Sequence, residues 1–222
     1  GGLAQQMLTP AGQLLTLQEA ARRVQVGLTA WSGLADKPEL LSETLALIDE
    51  CKSCMIEPEM LFRASEESAL DEDAALSAKL RDLAQILTQY DSLCGETLPD
   101  PRDRLTHLRD GLAESHVLDG AEVYLDGFLS YTPQELAIIE VMLSSGVPLT
   151  AAVTCDVELP DVFVTGCRTL RTLTRMAERC SRRPELVDLG AGKMPRPAGL
   201  AAVANEALLP VRQAHEELDA KA

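Results

Sequence analysis

Apolar residues recur through the first half of the chain at spacings of three and four, the period of a helix with one buried face. Leu17, Ala20, Val24, Leu28 and Trp31 place a first helix over about 16–31. After Ser32-Gly33, Asp36 and Pro38 open a second helix with Leu41, Leu45 and Ile48 inward, and Pro58 starts a short third. The acidic run Ser65–Asp73 reads as a solvated linker leading into the next helix. That fourth helix is the longest, with the stripe Leu76, Leu80, Leu83, Leu87, Tyr90 and Cys94. Over about three heptads such a stripe suits a coiled-coil seam or a bundle, and bundle packing is the expectation. Gly95–Pro101 breaks the pattern, and Asp100-Pro101 starts a fifth helix with Leu105, Leu108 and Leu112 on one side.

The pattern changes near Val117. Val123-Tyr124-Leu125 runs straight into Asp126-Gly127-Phe128, which reads as a buried strand ending in a carboxylate. Thr132 is placed to cap a helix, Pro133 suits its first position, and Glu135 completes a capping box. Leu136, Ile139 and Leu143 follow at helical spacing, Gly146 is placed to end the helix, and Pro148–Thr154 reads as a second buried strand. A strand–helix–strand unit of this length implies parallel pairing. A further helix spans about Thr165–Cys180, with Leu170, Leu173, Ala177 and Cys180 facing inward. From Pro184 onward the chain reads as loops, a short helix around Leu200–Leu208 and a polar tail. The expected division is a helical subdomain over 1–115, an α/β segment over 116–183, and a Pro- and Ala-rich tail over 184–222. The fold class is α/β with a large helical part.

Charge narrows the function. Among 222 residues, 35 Asp and Glu face 20 Lys and Arg, for a net charge of −15. A free-standing nucleic-acid-binding domain is expected to be basic, so the balance argues against one while leaving room for a local basic patch. Between Asp36 and Glu114 there are 19 acidic and 8 basic residues, so the helical block is the acidic part. No apolar stretch approaches the roughly 20 residues that span a bilayer. The start carries no charged region followed by an apolar run, so no signal peptide is expected. Gly1-Gly2 without Met reads as a cloning remnant or internal start of an excised fragment, and a cytoplasmic setting is expected. The six cysteines are scattered and read as reduced, mostly buried thiols.

The candidate chemistry sits in two places. A carboxylate at a strand's C-terminal edge is where open α/β folds place ligands, and in nucleotide-hydrolysing domains it holds Mg²⁺ through water. A working motor also needs a second carboxylate beside it and a G-x-x-x-x-G-K-[ST] phosphate loop. Gly127 follows Asp126, and no such loop occurs in the chain. Asp126 is therefore read as a relic of a nucleotide site, its simpler alternative being a helix- or turn-capping carboxylate. The second place is the row Arg168, Arg171, Arg175 and Arg179, which shares one helix face, with Arg182 and Arg183 beyond it. Such a row suits DNA phosphates, or else forms a solvated face or pairs with the acidic block. Cys51-Lys52-Ser53-Cys54 has metal-like spacing but no second pair, and reads as structural thiols. No catalytic histidine is assigned among His107, His116 and His215, and Gly190-Ala191-Gly192-Lys193 lacks the strand that a phosphate loop follows.

The strand ending Asp126-Gly127-Phe128, then Tyr131-Thr132-Pro133-Gln134-Glu135, a helix, and a strand ending Thr154-Cys155-Asp156 together resemble the B subunit of AddAB-type helicase–nucleases. The resemblance runs over Val117–Ala177, including Asp161-Val162-Phe163, Thr169 and Leu173. It implies an internal fragment of that subunit's N-terminal helicase-like region, a partial parallel-sheet core of the superfamily 1, P-loop NTPase type. The first 115 residues would be the helical insertion that interrupts this domain in the family. It implies a bacterial complex with an A subunit that processes double-strand DNA breaks for recombination, using ATP, Mg and an iron–sulphur cluster. In this fragment no cofactor, metal or catalytic residue is expected, Asp126 and Asp156 being relics of the nucleotide site. Whether the fragment is an enzyme stays open, an acidic interaction scaffold or an active ATP-hydrolysing module being the alternatives.

Overall fold

The computed structural model describes residues 6–157 and 160–189. They fall into two compact units, one running up to Ala151 and one from Ala152. The first unit holds α1 (Pro10–Val24), α2 (Pro38–Ser53), α3 (Pro58–Leu70), α4 (Ala74–Glu96), α5 (Arg104–Glu114), β1 (Val123–Leu125), α6 (Pro133–Ser144) and β2 (Leu149–Ala151). The second holds α7 (Val164–Arg179).

The helices pack as a bundle, as the stripe on α4 implies. Leu83, Leu87, Tyr90 and Cys94 are buried together with Leu17 and Ala20 of α1, Leu41, Leu45 and Ile48 of α2, and Leu61 of α3. Leu76, in the first turn of α4, lies outside this core and is exposed. Two extents differ from the sequence reading. α1 begins six residues earlier than expected, since Thr9 caps it by accepting from Gly12 N–H at 3.1 Å and Pro10 takes the first helical position. It also stops at Val24 and passes through a 3₁₀ turn at Gln25–Gly27, so Trp31 lies past its end. The acidic run is no linker in its first half either: α3 continues to Leu70 and buries Ser65.

Four of the described helices end by one device. α6 stops in a Schellman motif in which Gly146, at φ +87°, donates to Leu143 O and Val147 donates to Met142 O. α2, α3 and α7 end the same way, yet their left-handed residues are Met55, Glu72 and Ser181.

Two buried polar clamps hold the bundle. The Asp82 carboxylate is fully buried and accepts from the backbone N–H groups of Thr29, Ala30 and Trp31 at 2.7–2.9 Å. That fixes the chain where it leaves the 3₁₀ turn. Lys52, at the end of α2, lies 2.7–2.8 Å from both Asp103 oxygens and 2.8 Å from Asp91 Oδ1, with the Tyr90 ring 5.5 Å away. Asp100, also fully buried, accepts from Gln13 Nε2, the Tyr90 hydroxyl and the Arg102 N–H at 2.7–3.0 Å. Gln13, Lys52, Tyr90 and Asp100 thus join α1, α2, α4 and the 3₁₀ turn Pro101–Asp103.

The strand–helix–strand unit is parallel, with Val123, Tyr124 and Leu125 opposite Leu149, Thr150 and Ala151. Each strand is only three residues long and half-buried at best, and Tyr124 is 70% exposed. The expectation of buried strands is therefore corrected. Parallel strands read as buried when helices cover both faces, and here the central residue of each strand faces solvent. The expected helix around Leu200–Leu208, the tail and Gly190–Lys193 lie outside the described residues.

Candidate functional site

β1 delivers Asp126 to its C-terminal end, and α6 is held just beyond it. The capping box is complete: the Thr132 N–H donates to Glu135 Oε2 at 2.7 Å, and the Glu135 N–H donates to Thr132 Oγ1. Gln134, buried in the first turn of α6, donates to Arg102 O and Thr106 Oγ1, which ties that turn to the start of α5. Between strand and helix, Phe128 and Tyr131 stack with ring centroids 4.9 Å apart. Burial, then the nearby Glu135 charge, pushes the Tyr131 phenol up from its ordinary value. Composition gave no signal for this pair beyond its two aromatics in a chain poor in them.

Asp126 is exposed, and its Oδ1 accepts from the N–H of the next residue, Gly127, at 2.8 Å. Gly127 has φ +80°, so the chain turns where a second carboxylate would stand. The Asp126 carboxylate is thus engaged by its own neighbour, and no acid follows it directly in the chain. Among the described residues no group of three or more His, Cys, Asp and Glu is placed to hold a metal ion.

The second unit places the other candidates. Asp156 is half-buried in the non-helical segment before α7, and its backbone carbonyl accepts from Cys167 Sγ at 3.4 Å. Arg168, Arg171, Arg175 and Arg179 are all exposed on α7, while Gly166, Cys167, Thr169, Met176 and Ala177 are buried. Arg171 Nε donates to Cys167 O at 3.1 Å, a bond that lays the guanidinium stem along its own helix. The inward face is therefore centred on Cys167, Met176 and Ala177, with Leu170, Leu173 and Cys180 at its half-buried margin. Cys51 and Cys54 fall at the end of α2, the first buried and the second exposed, so the reading of mostly buried thiols fails at Cys54. No described helix is long and apolar enough to cross a membrane.

A family model described as ADDB, N-terminal, matches residues 1–193. The chain belongs to that family. The B subunit of the ATP-dependent helicase/deoxyribonuclease of Symbiobacterium thermophilum is 34% identical over 147 residues, covering 65% of this chain and 13% of that protein. The protein of the same name from Acetivibrio thermocellus is 29% identical over 183 residues, covering 80% of this chain and 16% of that protein. The Bacillus subtilis protein of that name is 26% identical over 245 residues, covering 99% of this chain and 21% of its own length. The chain thus spans 13–21% of these three relatives. The matched region takes in both Asp126 with its strand and the arginine face of α7.

Proposed function

We propose that this AddB-family chain is a DNA-handling, catalytically degenerate helicase-like part of the B subunit of an ATP-dependent helicase/deoxyribonuclease. The parent protein acts with an A subunit in the cytoplasm, away from membranes, to process double-strand DNA breaks for homologous recombination. The parallel β1–β2 pair is read as a fragment of a superfamily 1, P-loop-type core, and ATP, Mg and an iron–sulphur cluster serve the parent complex. Asp126 and Asp156 are read as relics of a nucleotide site. The observation that carries the reading is the pairing of Asp126 with Gly127: the carboxylate remains at the strand end while its catalytic neighbour is a turn glycine.

The DNA-handling part rests on α7. Its arginines are exposed and basic within a chain of net charge −15, so phosphate is the chemistry they suit. Each phosphate they neutralise adds nearly one unit to the slope of log affinity against log salt. Arg171→Ala with Arg175→Ala in the assembled complex is expected to reduce that slope by roughly two units. The measurement is DNA affinity of the complex against salt. An unchanged slope with lost subunit assembly places the arginines in a protein interface and supports the acidic scaffold instead. Titration calorimetry with Mg-ATP tests the degenerate site, and micromolar binding by this chain would overturn it.

A further inference from the structure

The first turn of α7 grips the segment before it closely enough to bring two thiols together. A Cβ at Gly166 would fall 2.1 Å from Thr154 O and 3.1 Å from Cys155 Cβ, so only glycine lets the helix backbone lie against Thr154-Cys155. The next helical residue, Cys167, is buried and donates its thiol to Asp156 O at 3.4 Å. Cys155 and Cys167 thus bracket the same contact from its two sides, and their side chains interact directly. Neither thiol is part of the arginine row, and the Cys167 thiol meets Asp156 at its backbone carbonyl.

We propose that Cys155 and Cys167 are a redox-modification site, a dithiol that a peroxide converts to an intramolecular disulfide pinning Thr154–Asp156 to the first turn of α7. Cys155 is the half-buried member and meets the oxidant first; Cys167 is buried and resolves the product. The Cys155 sulphur, as thiolate, attacks one peroxide oxygen, the O–O bond breaks, and the leaving hydroxide takes a proton to become water. The resulting sulphenic acid is attacked by the Cys167 sulphur, which loses its proton, and the sulphenic oxygen leaves as a second water. Two thiols are oxidised, one peroxide is reduced, and one S–S bond forms. Burial, then the Cys167 thiol and the Asp156 charge, hold the Cys155 thiol above its ordinary value, so the reaction quickens as pH rises.

The test treats the whole chain with hydrogen peroxide and counts thiols before and after. Cys54→Ser is included to remove the one exposed competitor. Cleavage before Asp156 and Asp161 with an Asp-specific protease separates Cys155 from Cys167 unless they are bonded. The expected result is loss of two thiols per chain and one joined peptide pair that a reductant separates. Cys167→Ser is expected to abolish the joined pair and leave a sulphenic acid at Cys155 that dimedone captures. Separate peptides under non-reducing conditions, with Cys155 unmodified or driven on to sulphinic acid, would overturn the proposal.

Discussion

The helical bundle and the strand–helix–strand segment carry the same kinds of residues with opposite consequences. In the bundle, an aspartate such as Asp82 is fully buried and organises a distant turn through three backbone donors. At the end of β1, Asp126 stands in solvent and accepts from the N–H of the residue beside it. Leucines behave likewise: Leu87 on α4 is 1% exposed, whereas Leu129 after β1 is 63% exposed. Stability therefore resides in the bundle, and the groups with the look of a site lie on parts that contribute little to it. Residues freed from packing are the ones available to ligands and partners.

The largest effects should come from the bundle core. Leu87→Ala is expected to cost about 2–5 kcal/mol in chemical unfolding, since the side chain is enclosed on all sides. Tyr124→Ala, at the exposed centre of β1, is expected to stay below about 1 kcal/mol, the span of strand propensity at such a position. Similar losses at both positions would show that the strands are covered and that the contrast fails.

Removing the two aspartates gives a smaller and cleaner contrast. Asp82→Ala leaves the N–H groups of Thr29, Ala30 and Trp31 without their acceptor. Thr29 and Ala30 lie at the surface, so water recovers part of the loss, and about 2–3 kcal/mol is expected. Asp126→Ala should fall within about 0.5 kcal/mol, as exposed substitutions do. Urea midpoints of the two variants make the comparison. Asp82 was not legible in the sequence, because its partners lie 51–53 residues away. The same holds for Lys52 and Asp103, which are 51 residues apart. Local signals read far better. The capping box at Thr132 and Glu135, the glycine at 146 and the stripe on α4 each state their structure within a few residues. Thr9-Pro10 carried the same start signature as Thr132-Pro133, and the apolar spacing from Leu17 onward drew attention past it. The run Val123–Leu125 announced a strand but could not say what covers its faces. At the candidate site, the spacing of the α7 arginines gave their shared exposed face, whereas the Cys155–Cys167 contact depends on Gly166 meeting Thr154 and left no pattern.

Protonation sharpens the contrast further, because the second clamp is built from coupled groups. Burial alone would raise the Asp100 carboxyl; the Arg102 N–H, the Lys52 charge, and the Tyr90 and Gln13 donors outweigh it and hold it below its ordinary value. A depressed carboxylate contributes stability above its unfolded value, near 3.8, that is lost as pH falls through the folded value. Asp91, raised chiefly by burial, works the other way and offsets part of that acid loss. Tyr90 is raised by burial and then by the Asp100 charge, so its contribution is present below pH 10.0 and is lost above it. Lys52, which burial would lower but Asp91 and Asp103 raise, adds a loss above pH 10.5. Unfolding midpoints from acid to alkaline pH should therefore fall at both ends. Tyr90→Phe should flatten both limbs, since it removes the phenol and the donor to Asp100. An unchanged profile would place the pH dependence outside this clamp.

The smallest effect concerns the helix ends, where sequence and backbone disagree. Glu72 ends α3 at φ +63°, a conformation in which a side chain costs energy and glycine does not. The backbone bonds there do not depend on the side chain: Glu72 N–H reaches Ala69 O and Asp73 N–H reaches Ser68 O. Glu72→Gly is therefore expected to stabilise the bundle by about 0.5–1 kcal/mol, despite the greater freedom of glycine in the unfolded chain. Charge complicates the reading, because Glu66, Glu67, Asp71 and Asp73 crowd the same tip and losing one negative charge also relieves repulsion. Glu72→Gln separates the two causes, keeping the Cβ while removing the charge. Urea unfolding should show the glycine variant above the glutamine variant, with the difference assigned to backbone conformation. Ser181→Gly repeats the experiment at the end of α7, where φ is +57° and the left-handed residue carries no charge to lose. A gain at Ser181 with none at Glu72 beyond that of glutamine would mean that the acidic tip, not the left-handed turn, limits the end of α3.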